Sequence, residues 1–284
     1  DGAVIGWGND NNGQIDIPAN LTNARAIGVG GFSGFAVLTD GTTVQWGNSP
    51  VWQHNGTNTT LQVGDGMSNT VTVAAGSYSG WAMQDDGFVL AYGWYDGIAP
   101  FANSYSSGSS SSASSHGRNI YGGVVAMSAY GISSPFYDYA LLLDGNGRIT
   151  QAGGQGGTVG FGVTVVPYIS TASSSPFYLV SPSNVFAVAA GNAHATALIG
   201  DGSPRIVRSP QNKIAYSGDT VTFAPGIIAP SGAYQWQFNG TNLDGATNAL
   251  LVLTNVPLTA TGAYRCLATN TFGAVTNLAT TLTV

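Results

Sequence analysis

Apolar residues along this chain fall into short alternating runs, each followed by a glycine turn and a second apolar run. The copies read GGFSGFAVLTDGTTVQWG (Gly30–Gly47), GSYSGWAMQDDGFVLAYG (Gly76–Gly93), SSPFYDYALLLDGNGRITQAGG (Ser133–Gly154) and GNAHATALIGDGSPRIV (Gly191–Val207). The opening segment DGAVIGWG (Asp1–Gly8) has the pattern of the second half of one unit. Asp-Gly recurs at 1, 40, 86, 144 and 201. An apolar run, Asp-Gly and a second run predict a β-hairpin with a type I′ turn, whose two central residues both need positive φ. About four such units predict an all-β chain with a radial or solenoid architecture, most simply the blades of a propeller.

The residues WGNDNNGQIDIP (Trp7–Pro18) and then AIGVGGFSGFAVLTDGTTVQWG (Ala26–Gly47) resemble the repeats of RCC1-like β-propellers. That pattern joins a Trp-Gly-x-Asn-x-x-Gly-Gln loop to a glycine-led apolar strand and an Asp-Gly hairpin. The resemblance covers residues 1–203; the first repeat matches well and the later ones are degenerate. It implies a fold much more than a function, since such propellers serve as exchange factors, inhibitors and surface modules. Members commonly carry more blades than this chain has repeats. The expectation is therefore a small ring, an open row, or a row completed by another chain.

From Pro204 the repeat stops. Residues 204–284 carry GDTVTFAP, an alternating strand around Trp236, and TGAYRCLATN, in which Tyr264 stands two residues before Cys266. This segment resembles the immunoglobulin-like modules of bacterial surface proteins, and the resemblance implies a core Trp at 236 and a tyrosine corner at 264. It departs from that pattern in two places. The partner cysteine is absent, with Pro225 near its expected place, and Ala260 stands where an acidic residue usually precedes the tyrosine. An apolar core must then hold the sandwich, with Cys266 as a small buried hydrophobe.

Composition narrows the function. Only 7% of the 284 residues are charged; all 13 acids are Asp, and Lys213 is the single lysine. Helix surfaces are normally built from Glu, Lys, Gln and Arg, so the chain has little with which to build them. A net charge of −6 leaves no basic footprint for nucleic acid, and no apolar run approaches the ~20 residues of a membrane helix. One cysteine excludes an internal disulfide framework. The uncharged polar surface favours an extracellular, secreted chain.

Candidate chemistry is sparse. Asp40, Asp86, Asp144 and Asp201 read as turn residues. Asp10–Asp16 looks faintly like a calcium loop without its closing Glu. His54, His116 and His194 share no ligand spacing. A glycosidase without Glu would need two Asp residues, from among Asp85, Asp96 and Asp138, and nothing singles out a pair. Trp52 and Trp94 are candidates for stacking on sugars. No catalytic, cofactor-binding or metal site is assigned. Asn20, Asn55, Asn58 and Asn239 each open a glycosylation triplet. Three long inter-strand segments, Asn48–Asn69, Trp94–Gly122 and Gln155–Asn184, include the serine-rich run Ser104–Gly117.

The most informative feature is the pairing of ends. The last repeat reaches Asp201-Gly202 and departs without its closing strand, whereas Asp1, Val4, Gly6, Trp7 and Gly8 have that strand's pattern. Within a chain this predicts ring closure; between chains it predicts strand donation and a homopolymer. The reading is a non-enzymatic extracellular structural subunit of a surface filament or appendage. The alternatives are a monomeric adhesion module that holds a glycan or protein in its loops, and a hydrolase.

Overall fold

The computed structural model describes residues 2–47, 69–77, 79–93, 117–119, 123–132, 134–153, 184–191 and 194–284. They form β-strands and loops, with one 3-10 turn at Leu258–Ala260. Four antiparallel sheets follow one another along the first part. Unit 1 is β1 (Ala24–Val29), β2 (Ser33–Leu38) and β3 (Thr43–Gly47). Unit 2 is β4 (Thr70–Ala75), β5 (Ser79–Gln84), β6 (Val89–Gly93) and β7 (Gly117–Asn119). Unit 3 is β8 (Val124–Ile132), β9 (Ser134–Asp144) and β10 (Ile149–Gly153), and unit 4 is β11 (Val185–Ala190) and β12 (Ala195–Ile199). The long segments 48–68, 94–116 and 154–183 lie outside the described residues, as do Asn55, Asn58, His54, His116, Trp52, Trp94 and Asp96.

The register repeats. The outermost pairs of the first two strands are Ala24↔Leu38, Thr70↔Gln84, Val124↔Asp144 and Val185↔Ile199, and a register shift follows each of them. Alternation then sends successive residues to opposite faces. Phe35 and Val37 leave unit 1 towards Val73 and Ala75 of unit 2. Trp81 and Met83 leave unit 2 towards Ala140 and Leu142 of unit 3. Leu141 and Leu143 leave unit 3 towards Val185, Val188 and Ala197 of unit 4. The same strand positions therefore build three successive interfaces.

The hairpin turns correct the type I′ expectation. Gly41, Gly87 and Gly202 have positive φ (86°, 81° and 91°), but Asp40, Asp86 and Asp201 do not. In unit 1 the Gly41 N–H donates to Leu38 O at 3.0 Å, and the Leu38 N–H donates to Thr42 O at 2.8 Å. This is a three-residue loop, a right-handed turn followed by one left-handed glycine. The Asp40 carboxylate accepts from both the N–H and the hydroxyl of Thr42, which holds the Asp on the right-handed side. In unit 3 the loop is Gly145-Asn146-Gly147. Gly147 takes the left-handed place (φ 72°), and Asp144 sits one step earlier, accepting from the N–H groups of Asn146 and Arg148.

Residues 205–284 form an immunoglobulin-like sandwich. β13 (Arg205–Arg208) pairs with β16 (Gly226–Ile228), and β15 (Val221–Phe223) pairs with β19 (Leu251–Leu253). The largest sheet runs β14 (Lys213–Ile214), β22 (Thr280–Thr283), β20 (Gly262–Asn270), β17 (Ala233–Phe238), β18 (Thr241–Asn242), with β21 (Gly273–Thr276) also on β20. Trp236 is fully buried opposite Cys266, and its indole N–H donates to Asn248 O at 3.0 Å. The Phe223 ring stacks on Tyr264 at 5.2 Å. The Tyr264 hydroxyl donates to Ala260 O at 2.8 Å, so the tyrosine corner needs only a backbone carbonyl where the acidic residue is missing.

Candidate functional site

Each turn glycine also links neighbouring units. The Thr70 N–H donates to Gly41 O (3.2 Å), Val124 N–H to Gly87 O (3.1 Å) and Val185 N–H to Gly147 O (3.3 Å). The Ala24 N–H donates in the same way to Gly2 O (3.0 Å), and Gly2 is left-handed too, at φ 65°. Residues 2–8 thus lie against unit 1 where the third strand of a preceding unit would lie. They carry no strand assignment. Val4 packs with the cluster of Leu21, Ala36 and Trp46, and Gly6 lies close to Ile15 and Ile17. Ile5 and Trp7 are 80% and 82% exposed. Asp1 lies outside the described residues. Closure of a ring within the chain is not formed among the described residues, because β12 pairs with β11 and with no segment from the N-terminal part.

Both ends of the row of units are apolar. At the unit 1 end, Ile27 and Val29 are 60% and 74% exposed; they occupy the positions at which Val73 and Ala75 meet unit 1. At the unit 4 end, Leu198 is 59% exposed, beside the exposed Thr196 and Ala189. Leu198 and Thr196 correspond to Val37 and Phe35, which are buried in the first internal interface. Three internal copies of this face are covered, whereas Ile27, Val29 and Leu198 are exposed among the described residues.

The sandwich docks on the turn side of the units. Asn270 donates through Nδ2 to Gly202 O at 2.8 Å, filling on unit 4 the place that the next unit's N–H fills elsewhere. The Ala229 N–H donates to Gly145 O at 2.8 Å, and Ile228 packs with Val125, Leu141 and Val185. Lys213 pairs with Asp85 at 2.5 Å, both largely buried. Arg25 hydrogen-bonds the Thr70 carbonyl nearby. Burial lowers the pKa values of Arg25 and Arg208, opposed in each by the Asp85 carboxylate. A polar cavity of about 300 Å³ at this junction is lined by Arg25, Asp40, Asp85, Asn212, Lys213 and Asp219 among others.

The other candidates are placed as follows. The Asp10 carboxylate accepts the Ile15 N–H at 3.0 Å, and the Gln14 carbonyl accepts the Trp46 indole N–H at 2.8 Å. The Asp10–Asp16 loop therefore staples itself to unit 1. Asp138 is buried, and the main-chain carbonyl of His194 accepts from the Tyr139 hydroxyl. No group of three His, Cys, Asp or Glu gathers among the described residues, and no helix among them is long and apolar enough to cross a membrane. Asn20 is exposed. Asn239 is exposed too, but in a left-handed turn with Gly240 (φ 48° and 86°), its Oδ1 accepting the Ala263 N–H at 2.9 Å. Cys266 is buried, and burial pushes its thiol up to about 12. Sequence reasoning missed the docking role of Asn270 and Lys213; the scarcity of lysine was the one available signal.

No family model matches the chain, and no curated protein is similar to it in sequence. Among solved structures, titin M4 is similar at 22% identity over 30% of this chain and 97% of that one, with a TM-score of 0.27. Sidekick-1 immunoglobulin domains 1–4 are similar at 18% identity over 30% of this chain, with a TM-score of 0.28; only 23% of that chain is covered. The immunoglobulin-like class stated above rests on the buried Trp236, the Tyr264 corner and the strand pairing.

Proposed function

We propose that this chain is a non-enzymatic extracellular structural module that associates with copies of itself into a surface filament or appendage. In this reading units 1–4 are an open row of RCC1-like blades, and the immunoglobulin-like module braces one side of the row. The observation that carries it is the exposed face of unit 4, Leu198 beside Thr196 and Ala189, at the positions where Val37 and Phe35 are buried in the first internal interface. Its position is that of the faces buried in the three internal interfaces, and a head-to-tail contact between unlike faces propagates without closing. Low charge weakens repulsion between copies. The turn roles of Asp40, Asp86, Asp144 and Asp201 support a non-catalytic reading, and the exposed Asn20 and Asn239 triplets support a glycoprotein.

Electron microscopy of the purified chain beside a Leu198→Asp variant tests this. Regular fibres from the parent that are lost in the variant, with the circular dichroism spectrum unchanged, are the expected result. Monomers from the parent at all concentrations overturn it. They would turn attention to a monomeric adhesion module, which the polar junction cavity favours as the place for a glycan or a peptide.

A further inference from the structure

We infer that the polar cavity where unit 1, unit 2 and the sandwich meet binds an uncharged sugar unit, with Arg25 as its principal donor. The site is independent of self-association, since every residue concerned lies within one molecule.

Arg25 departs from the repeat at a position that the repeat makes special. The register shift after the outermost pair leaves one residue of each first strand out of the ladder. That residue is Arg25 in unit 1, Val71 in unit 2, Val125 in unit 3 and Phe186 in unit 4. A bulge of this kind re-aims its side chain. Val71 and Val125 are buried in the apolar clusters between units, and Phe186 packs against the second of them. Unit 1 places a guanidinium there instead, and it lines the cavity. Nη2 donates to the Thr70 carbonyl and Nε is buried, which fixes the plane of the group. Nη1 is not among the buried unbonded atoms and is the nitrogen left to serve a ligand.

Charge balance decides the class of ligand. Arg25 and Lys213 line the cavity with Asp40, Asp85 and Asp219, and Arg208 stands within electrostatic reach of the same Asp85. Lys213 and Asp85 pair with each other, and Thr42 holds the Asp40 carboxylate. So nearly balanced a wall gives an oxyanion little net attraction. No group of three acids or histidines gathers among the described residues to hold a metal ion. What the lining offers is a mixture of donors and acceptors. Beside Arg25 Nη1 stand the amide nitrogen of Asn212, whose oxygen accepts the Thr281 N–H at 2.9 Å, and Asp219 Oδ1, whose twin Oδ2 accepts the Tyr216 N–H at 2.8 Å. A hydroxyl both donates and accepts, so a ligand made of hydroxyls matches such a wall. The exposed Ile214, also in the lining, gives the C–H face of a sugar its apolar contact. A volume of about 300 Å³ lies at the small end of ligand pockets and suits about one or two sugar rings. A peptide is recognised chiefly by sheet edges and apolar pockets, and this lining is mainly polar.

Titration calorimetry of the full chain with maltose, lactose, mannobiose and diacetylchitobiose tests this, beside two variants. Arg25→Val restores at the bulge the residue that units 2 and 3 carry there. Gln211→Trp fills the cavity from an exposed position in its lining. At least one disaccharide is expected to bind the parent, and each variant is expected to weaken it about tenfold or more. Circular dichroism without sugar checks that both variants are folded; if Arg25→Val is not, Gln211→Trp decides alone. Binding of none of the four overturns the assignment. Binding that survives in Gln211→Trp overturns it too, since the sugar then sits elsewhere. Phosphate, sulfate or glucuronate bound in place of the neutral sugars, and lost in Arg25→Val, makes this an oxyanion site and overturns the uncharged class. A neutral peptide of serine and threonine that binds where no sugar does overturns it as well.

Discussion

Cys266 and Tyr264 show how a core replaces a disulfide with packing. Both side chains are buried among Phe223, Trp236, Val221 and Leu282, and the Cys266 N–H donates to Asn277 Oδ1 at 2.5 Å. Burial raises the thiol pKa to about 12 from an ordinary 9.0. The folded state thus holds its proton over a range in which the unfolded chain releases it. The associated stability is fully present below about pH 9 and is lost as pH rises towards 12, with a slope of at most about 1.4 kcal/mol per pH unit. The raised pKa values of Tyr139, Tyr234 and Tyr264 act in the same direction. Urea unfolding at pH 8 and pH 10.5 should show lower stability at the higher pH, and thiol alkylation should be slow until the sandwich opens. Tyr264→Phe removes the bond to Ala260 O and should lower stability by about 1 kcal/mol in the same assay.

At the scale of the element, the hairpin between β9 and β10 separates sequence pattern from backbone geometry. Asp144-Gly145 matches the recurring dipeptide, yet Gly147 is the residue with positive φ. Gly147→Ala forces a side chain into the left-handed region and should cost about 1 kcal/mol or more. Gly145 is not among the positive-φ positions, and its added Cβ would meet Ile227 O of the sandwich at 3.1 Å. Gly145→Ala should therefore loosen the docking of the sandwich rather than the hairpin. Hydrogen exchange at Leu143 and Ile149, compared with exchange at Ile228, distinguishes the two. Gly34 illustrates a different use of glycine. An added Cβ would lie 2.3 Å from the Trp46 indole, so Gly34→Ala should cost about 1–3 kcal/mol by overpacking the unit 1 sheet, read by chemical denaturation.

For the whole molecule, the joint between the row of units and the sandwich depends on a few polar residues in a chain that has few. Asn270 bridges Gly202 O and Pro230 O, and Lys213 reaches Asp85 across 128 residues of sequence. Lys213→Met removes one charge of a largely buried pair and leaves Asp85 uncompensated, a loss of about 3–5 kcal/mol for a fully buried pair and less here. Combining it with Asp85→Leu should recover part of that loss. Calorimetry of the three variants measures the recovery. With only 7% of residues charged, the melting temperature of the parent should change little between low and high salt.

Much of this was legible in the chain itself. All-β character followed from composition and alternation, the four units from their repeating hairpins, and the sandwich from Trp236, Tyr264 and Cys266. These are local signals, set by which residues accept a pleated strand or a tight turn. The turn type was misread because an Asp side chain bonding two residues ahead stabilises the three-residue loop as well as Asp-Gly suits the shorter one. The repeat pattern left a small ring, an open row and a row completed by another chain as expectations for its first and last units. Which side chains they expose, and where Val4–Gly8 lies, came from the stacking of unit on unit. The docking of the sandwich on the turns was not legible at all. Asn270 and Gly202 are distant in sequence and match no motif, and their meeting depends on how two folded bodies fit. Local pattern therefore determined the strands, the turns and the class of each part of the chain; tertiary packing decided which faces remain open, because burial is a property of neighbours that the chain acquires only on folding.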